Sequence, residues 1–75
     1  LNKHEFLARP WQYPAFDYRA VDEDGTEYYF TRTPEIVGGA WIQEYLRGKK
    51  FWRVEVSELW RESLQSKEDY KLLIN

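Results

Sequence analysis

Apolar and polar positions alternate most regularly between residues 16 and 32. Phe16, Tyr18 and Ala20 interleave with Asp17, Arg19 and Val21, and Tyr28 and Phe30 with Glu27, Tyr29 and Thr31. A period of two is that of a strand, whose successive side chains point to opposite faces. Between the two runs stands Glu23-Asp24-Gly25. Its Asp-Gly step supplies the positive φ that a tight hairpin turn requires. The pattern predicts a β-hairpin over 16–32.

Beyond the hairpin the period changes. Thr33-Pro34-Glu35 combines an N-cap hydroxyl, a proline for the first helical position and an acid for the positive first turn. Ile36, Val37, Ala40, Trp41, Tyr45 and Leu46 then recur at helical spacing, and Gly48 stands where a closing glycine belongs. The expectation is a helix over 34–47. Gly38-Gly39 resists it, at roughly 1 kcal/mol per glycine relative to alanine, and is accommodated if the backbone packs close on the sheet.

Phe51 to Val56 returns to a period of two and predicts a third strand over 50–56, with Trp52, Val54 and Val56 on the core face. Ser57 caps a short helix toward Gln65. Ser66-Lys67-Glu68-Asp69 repeats the Ser-x-x-acid cap ahead of Tyr70, Leu72, Leu73 and Ile74. That tail is read as a last helical segment, with a strand as the alternative. At the other end, Pro10 and Pro14 bracket Trp11, Gln12 and Tyr13 and hold the chain extended. Residues 1–15 are read as an extended arm, begun by a helical turn near Lys3–Ala8.

The fold class is therefore α+β within a single domain over 1–75. A small, three-stranded, mainly antiparallel sheet (hairpin 16–32 plus strand 50–56) carries the 34–47 helix on one face, with a short C-terminal helical segment.

Size and composition narrow the choice of function. Seventy-five residues lie near the lower limit for a core without staples. The absence of cysteine excludes a disulfide framework, a thiolate metal site and a cysteine nucleophile. Neither a leader nor an apolar run long enough to cross a bilayer is visible, so the expectation is a soluble, cytoplasmic protein that does not engage a membrane. The four Trp, six Tyr and four Phe equal Leu, Ile and Val combined. That many rings can fill a small core and still leave some at the surface as contacts.

Charge is unevenly placed around a net −2. Asp17, Asp22, Glu23, Asp24, Glu27 and Glu35 outnumber Arg19 and Arg32, whereas Arg47, Lys49, Lys50 and Arg53 follow one another with no acid between them. Such a layout concerns steering and association. The overall sign argues against a dedicated duplex-DNA binder.

Catalytic signatures are missing. His4 is the one histidine, so a transition-metal site is not expected. Asp22-Glu23-Asp24 lacks the spacing of a calcium loop and reads as a solvated turn. No phosphate-binding glycine loop or nucleophile elbow occurs, and Ser57, Ser63 and Ser66 have no histidine base at hand. The expectation is a non-enzymatic protein without a cofactor.

What remains is binding chemistry. Residues 47–53 interleave Arg47, Lys49, Lys50 and Arg53 with Phe51 and Trp52. In a strand these two rings face opposite ways, which leaves Phe51 for the solvent side beside Arg53. The expected function is a small protein-binding module that docks on a larger protein or complex and modulates it. Inhibitors, adaptors and accessory subunits form this class, phage-type and transcription-associated regulators among them. Arg47, Lys49, Lys50 and Arg53 would steer docking, with Trp11, Tyr13 and Phe51 as anchors. The alternative is a nucleic-acid-binding module using the same segment, with cations on phosphates and rings on bases.

Overall fold

Asp22 to Thr26 carry out the first reversal of the chain. Gly25 takes φ 89° and donates its N–H to the Asp22 carbonyl at 2.9 Å, while the Asp22 N–H donates to the Thr26 carbonyl at 2.9 Å. The Asp24 carboxylate accepts from the Thr26 N–H at 2.9 Å. A three-residue loop ending on a left-handed glycine matches the twist of its flanking strands. It joins β1 (Tyr18–Val21) to β2 (Thr26–Phe30), antiparallel, with Tyr18 opposite Phe30 and Ala20 opposite Tyr28. The hairpin expected over 16–32 is present.

The computed structural model describes residues 3–44, 48–54 and 58–75. A short helix, α1 (Lys3–Leu7), precedes the hairpin. It is followed by β3 (Glu35–Val37), β4 (Ala40–Ile42) and β5 (Lys49–Arg53). A 3-10 turn (Glu58–Glu62), β6 (Gln65–Ser66) and α2 (Lys67–Ile74) complete the order. One sheet runs β5-β2-β1-β6, and β3-β4 form a separate two-stranded ribbon. Every pairing is antiparallel. The class is α+β, with four plus two strands and two helices among the described residues rather than three strands and one principal helix.

The main correction concerns 34–47, where a β-hairpin replaces the expected helix. Val37 pairs with Ala40 and Ile36 with Trp41, and Gly38 and Gly39 make the turn between them. Gly38 adopts φ 64°, which a two-residue hairpin turn needs at its first central position. A two-residue turn brings positions i and i+3 together, as a helix does, so the apolar spacing fits both. The glycine pair decides it, because it costs a helix what it gives the turn. Tyr45 to Arg47 lie outside the described residues. Gly48 is not a helix cap either: a Cβ there would run into the Tyr29 carbonyl oxygen and the Phe30 ring.

On one face of the large sheet, Ala20 and Phe30 pack with Trp41 from β4 and Trp60 from the 3-10 turn, ringed by Tyr18, Tyr28 and Leu64. Trp41 donates its N–H to the Asp22 carboxylate at 2.8 Å and its indole N–H to the Trp60 carbonyl at 3.2 Å. Asp22 is thus buried (1% exposed), unlike the solvated turn expected of it. Ser63 extends the edge of β1 with a side chain: its hydroxyl accepts from the Val21 N–H at 2.8 Å. The helix expected from Ser57 to Gln65 is reduced to the 3-10 turn, and Ser57 itself lies outside the described residues. The C-terminal segment is helical, and the Ser66 hydroxyl accepts from the Asp69 N–H at 3.0 Å as its N-cap.

The opposite face of the sheet carries Arg19, Val21, Glu27 and Tyr29, all buried. Burying both faces of so small a sheet requires a second cover. Residues 3–16 provide it.

Candidate binding surface

Arg19 organises that cover. It points from the middle of β1 into the N-terminal segment and is 1% exposed. Its guanidinium donates to the carbonyls of Leu7 at 3.0 Å, Arg9 at 2.8 Å and Pro10 at 2.9 Å. Nε donates to Gln65 Oε1 at 2.9 Å, and the Gln65 amide in turn donates to the Leu7 carbonyl at 2.9 Å. The rings of Trp11 and Tyr70 stand 4.7 and 4.9 Å from its Cζ. A planar fork of five N–H donors suits several carbonyls at once, which an ammonium would not.

Glu27 is the negative partner of this cluster. Arg9 Nη2 lies 2.8 Å from Glu27 Oε1 in an ion pair, and Arg19 Nε lies at 4.0 Å. Burial raises the Glu27 carboxyl above its ordinary pKa, outweighing the attraction of Arg9 and Arg19. Burial likewise lowers the Arg9 guanidinium, against the pull of Glu27. Desolvation is the larger effect on both partners, so the pair is held by the packing around it.

The arm's aromatic residues close over this face. Trp11 meets Tyr29 edge-on at 5.3 Å and Tyr70 at 5.5 Å. Tyr13 meets Tyr29 edge-on at 5.0 Å and Phe51 edge-on at 5.8 Å. The Gln12 N–H donates to the Tyr29 hydroxyl at 3.0 Å. Three of the rings expected at a partner surface therefore spend contact area within the molecule. Phe51 in particular turns inward, contrary to its expected solvent side.

β5 shows why. Tyr28 pairs with Lys50 and Thr26 with Arg53, so three steps along β5 match two along β2. That bulge lies beyond Lys50; Lys49 and Phe51 keep the period of two and both meet Tyr13, so Phe51 is covered because the arm lies on its side of the strand. Trp52, expected in the core, is instead 70% exposed. Lys49, Lys50 and Arg53 are exposed beside it. Lys49 lies 5.0 Å over the Tyr13 ring, which ties it to the arm and leaves Lys50 and Arg53 nearer in role to Trp52. Arg47 lies outside the described residues. No local pattern shows that the arm covers this side of β5, and Trp52 is the site residue that the sequence places on the wrong side.

Backbone bonds set the neighbourhood of this strand. The Val54 N–H donates to the Gly25 carbonyl at 2.6 Å, and the Glu23 N–H to the Gly39 carbonyl at 2.9 Å. The end of β5, the exposed acids Glu23 and Asp24, and the β3-β4 turn with exposed Val37 therefore meet at one end of the molecule. Elsewhere an open cleft of about 640 Å³ runs between Asp17, Arg32, Lys67 and Lys71, with both signs of charge on its walls. Among the described residues, no group of three or more His, Asp or Glu could hold a metal ion. Nor is any helix there long and apolar enough to cross a membrane.

A scan against protein-family models and searches against curated proteins and solved structures return no match for this chain.

Proposed function

We propose that this chain is a small, non-enzymatic protein-binding module that docks on a larger protein and modulates it, as an inhibitor, adaptor or accessory subunit. The observation that carries the reading is Trp52, a large ring 70% exposed on a strand whose other exposed residues are Lys49, Lys50 and Arg53. An exposed tryptophan contributes nothing to the core and offers a rigid, low-entropy anchor to a partner. The cations supply steering. Glu23 and Asp24 close by give the surface both signs, which suits a protein surface better than a uniform row of phosphates.

The same ring favours one second reading, a nucleic-acid-binding module in which Trp52 stacks on a base and Lys50 and Arg53 meet phosphates. Affinity capture with the tagged full chain, with and without nuclease, separates the two. The paired variants are Trp52→Ala and Lys50→Glu/Arg53→Glu. A near-stoichiometric protein that survives nuclease and is lost with both variants supports the module reading. Capture that collapses with nuclease and falls steeply with salt moves the assignment to nucleic acid. Capture unchanged in both folded variants removes this surface from consideration.

A further inference from the structure

Resting on that reading, we infer that β5 recognises its partner by strand addition, accepting an extended acidic segment along its free edge. Among the described residues β5 pairs on one side only, with β2, and ends the order β5-β2-β1-β6. Its second row of backbone N–H and C=O groups is therefore a template for a further strand. Natural edges of this kind are protected by lysines and bulges, and β5 has both.

The protection is selective. Two copies of β5 paired parallel in register would set each cation against itself, and paired antiparallel about Phe51 would set Lys49 against Arg53; like charges across a strand pair are destabilising. A strand bearing Glu or Asp meets the same residues as counterions, so one charge pattern rejects self-pairing and admits an acidic partner. Trp52 is the feature that protection alone does not explain. A blunted edge gains nothing from a ring 70% exposed, whereas an added strand with apolar residues between its acids could cover it. The far edge of the sheet does not compete, since β6 spans only Gln65–Ser66.

The test uses the full chain, isotopically labelled, and the capped peptide acetyl-Glu-Val-Glu-Val-Glu-Val-Glu-amide. Two controls accompany it: the same peptide N-methylated on alternate amides, and the same peptide with Lys for Glu. Expected results are shifts confined to the Lys49–Arg53 amides and the Trp52 indole N–H, with slowed exchange at alternate β5 amides. The N-methylated peptide should bind about ten-fold weaker or less tightly still, and the lysine peptide should not bind. Equal binding of the methylated and unmethylated acidic peptides overturns strand addition and leaves the basic-aromatic surface standing. Absence of binding by the acidic peptide, when capture of a protein still depends on Trp52, Lys50 and Arg53, also overturns strand addition alone. Capture independent of those residues removes the underlying reading itself.

Discussion

Arg19→Met is the sharpest perturbation of this fold. The side chain keeps its length and apolar stem and loses the fork that holds four acceptors at 2.8–3.0 Å: the carbonyls of Leu7, Arg9 and Pro10, and Gln65 Oε1. A hydrogen bond from a charged donor contributes about 1.5–3 kcal/mol net, and each buried carbonyl left alone costs about 1–3 kcal/mol. Those terms do not simply add, because the arm can lift away and let its carbonyls hydrate. The loss is thereby capped at the free energy of docking the arm. Glu27 sharpens the effect, since it would keep only Arg9 as a close cation. A loss of about 3–5 kcal/mol is expected, the usual cost of removing one member of a buried charged cluster. A chain of this size is stabilised by about 4–11 kcal/mol in all. Urea unfolding followed by circular dichroism measures the loss, and amide exchange over residues 3–16 reports on the arm. Should Arg19→Met not fold, Arg19→Lys retains the charge without the planar fork and is expected to lose about half as much. A loss below about 1 kcal/mol in Arg19→Met with the arm still protected from exchange would refute the argument.

Three further outcomes follow from the geometry. Gly38→Ala places a side chain at φ 64° in open space, so thermal melting should show a loss of about 1–2 kcal/mol; a gain would point back to a helix over 34–47. Trp52→Ala should change stability by less than about 0.5 kcal/mol, while Trp41→Ala, in the core, should lose about 3–5 kcal/mol in the same urea titration. Glu27 has a raised carboxyl in the folded protein, so the fold binds this proton more readily than the unfolded chain does. Its contribution is fully present below the ordinary glutamate range and is lost as pH rises through the raised value. Wild type should therefore lose stability relative to Glu27→Gln as pH rises from the ordinary glutamate range through the raised value, and a flat difference would count against a buried, desolvated carboxyl.

What could be read from the sequence was what neighbouring residues decide. The 16–32 hairpin was legible because its alternation and its Asp-Gly step are both local. The cap at Ser66 was legible for the same reason. The β3-β4 ribbon was not, since Ile36, Val37, Ala40 and Trp41 satisfy a helical spacing and a two-residue turn alike. Arg19 was illegible in a stricter sense. An arginine between Tyr18 and Ala20 reads as a residue facing water, and its burial depends on acceptors at 7–10 and at Gln65, forty-six positions away. Trp52 was misplaced because the N-terminal arm covers the Lys49 and Phe51 side of β5, which inverted the expected sides of Trp52 and Phe51. The same inversion moved the basic-aromatic surface from Phe51 to Trp52.

The clasp on the N-terminal arm grips carbonyl oxygens, and a carbonyl is the one acceptor every residue carries. At Leu7, Arg9 and Pro10, Arg19 reads the course of the chain and not its lettering. Mutational tolerance should therefore be lopsided along this contact. Position 19 admits almost nothing else, while its partners at 7 and 10 can drift as long as the backbone keeps its path. Arg9 is held a second time through Glu27, and Trp11 and Tyr13 are held by their rings. Two relatives of this protein could thus share the clasp and show little resemblance across their first ten residues, with a strand arginine as the visible trace of a common architecture.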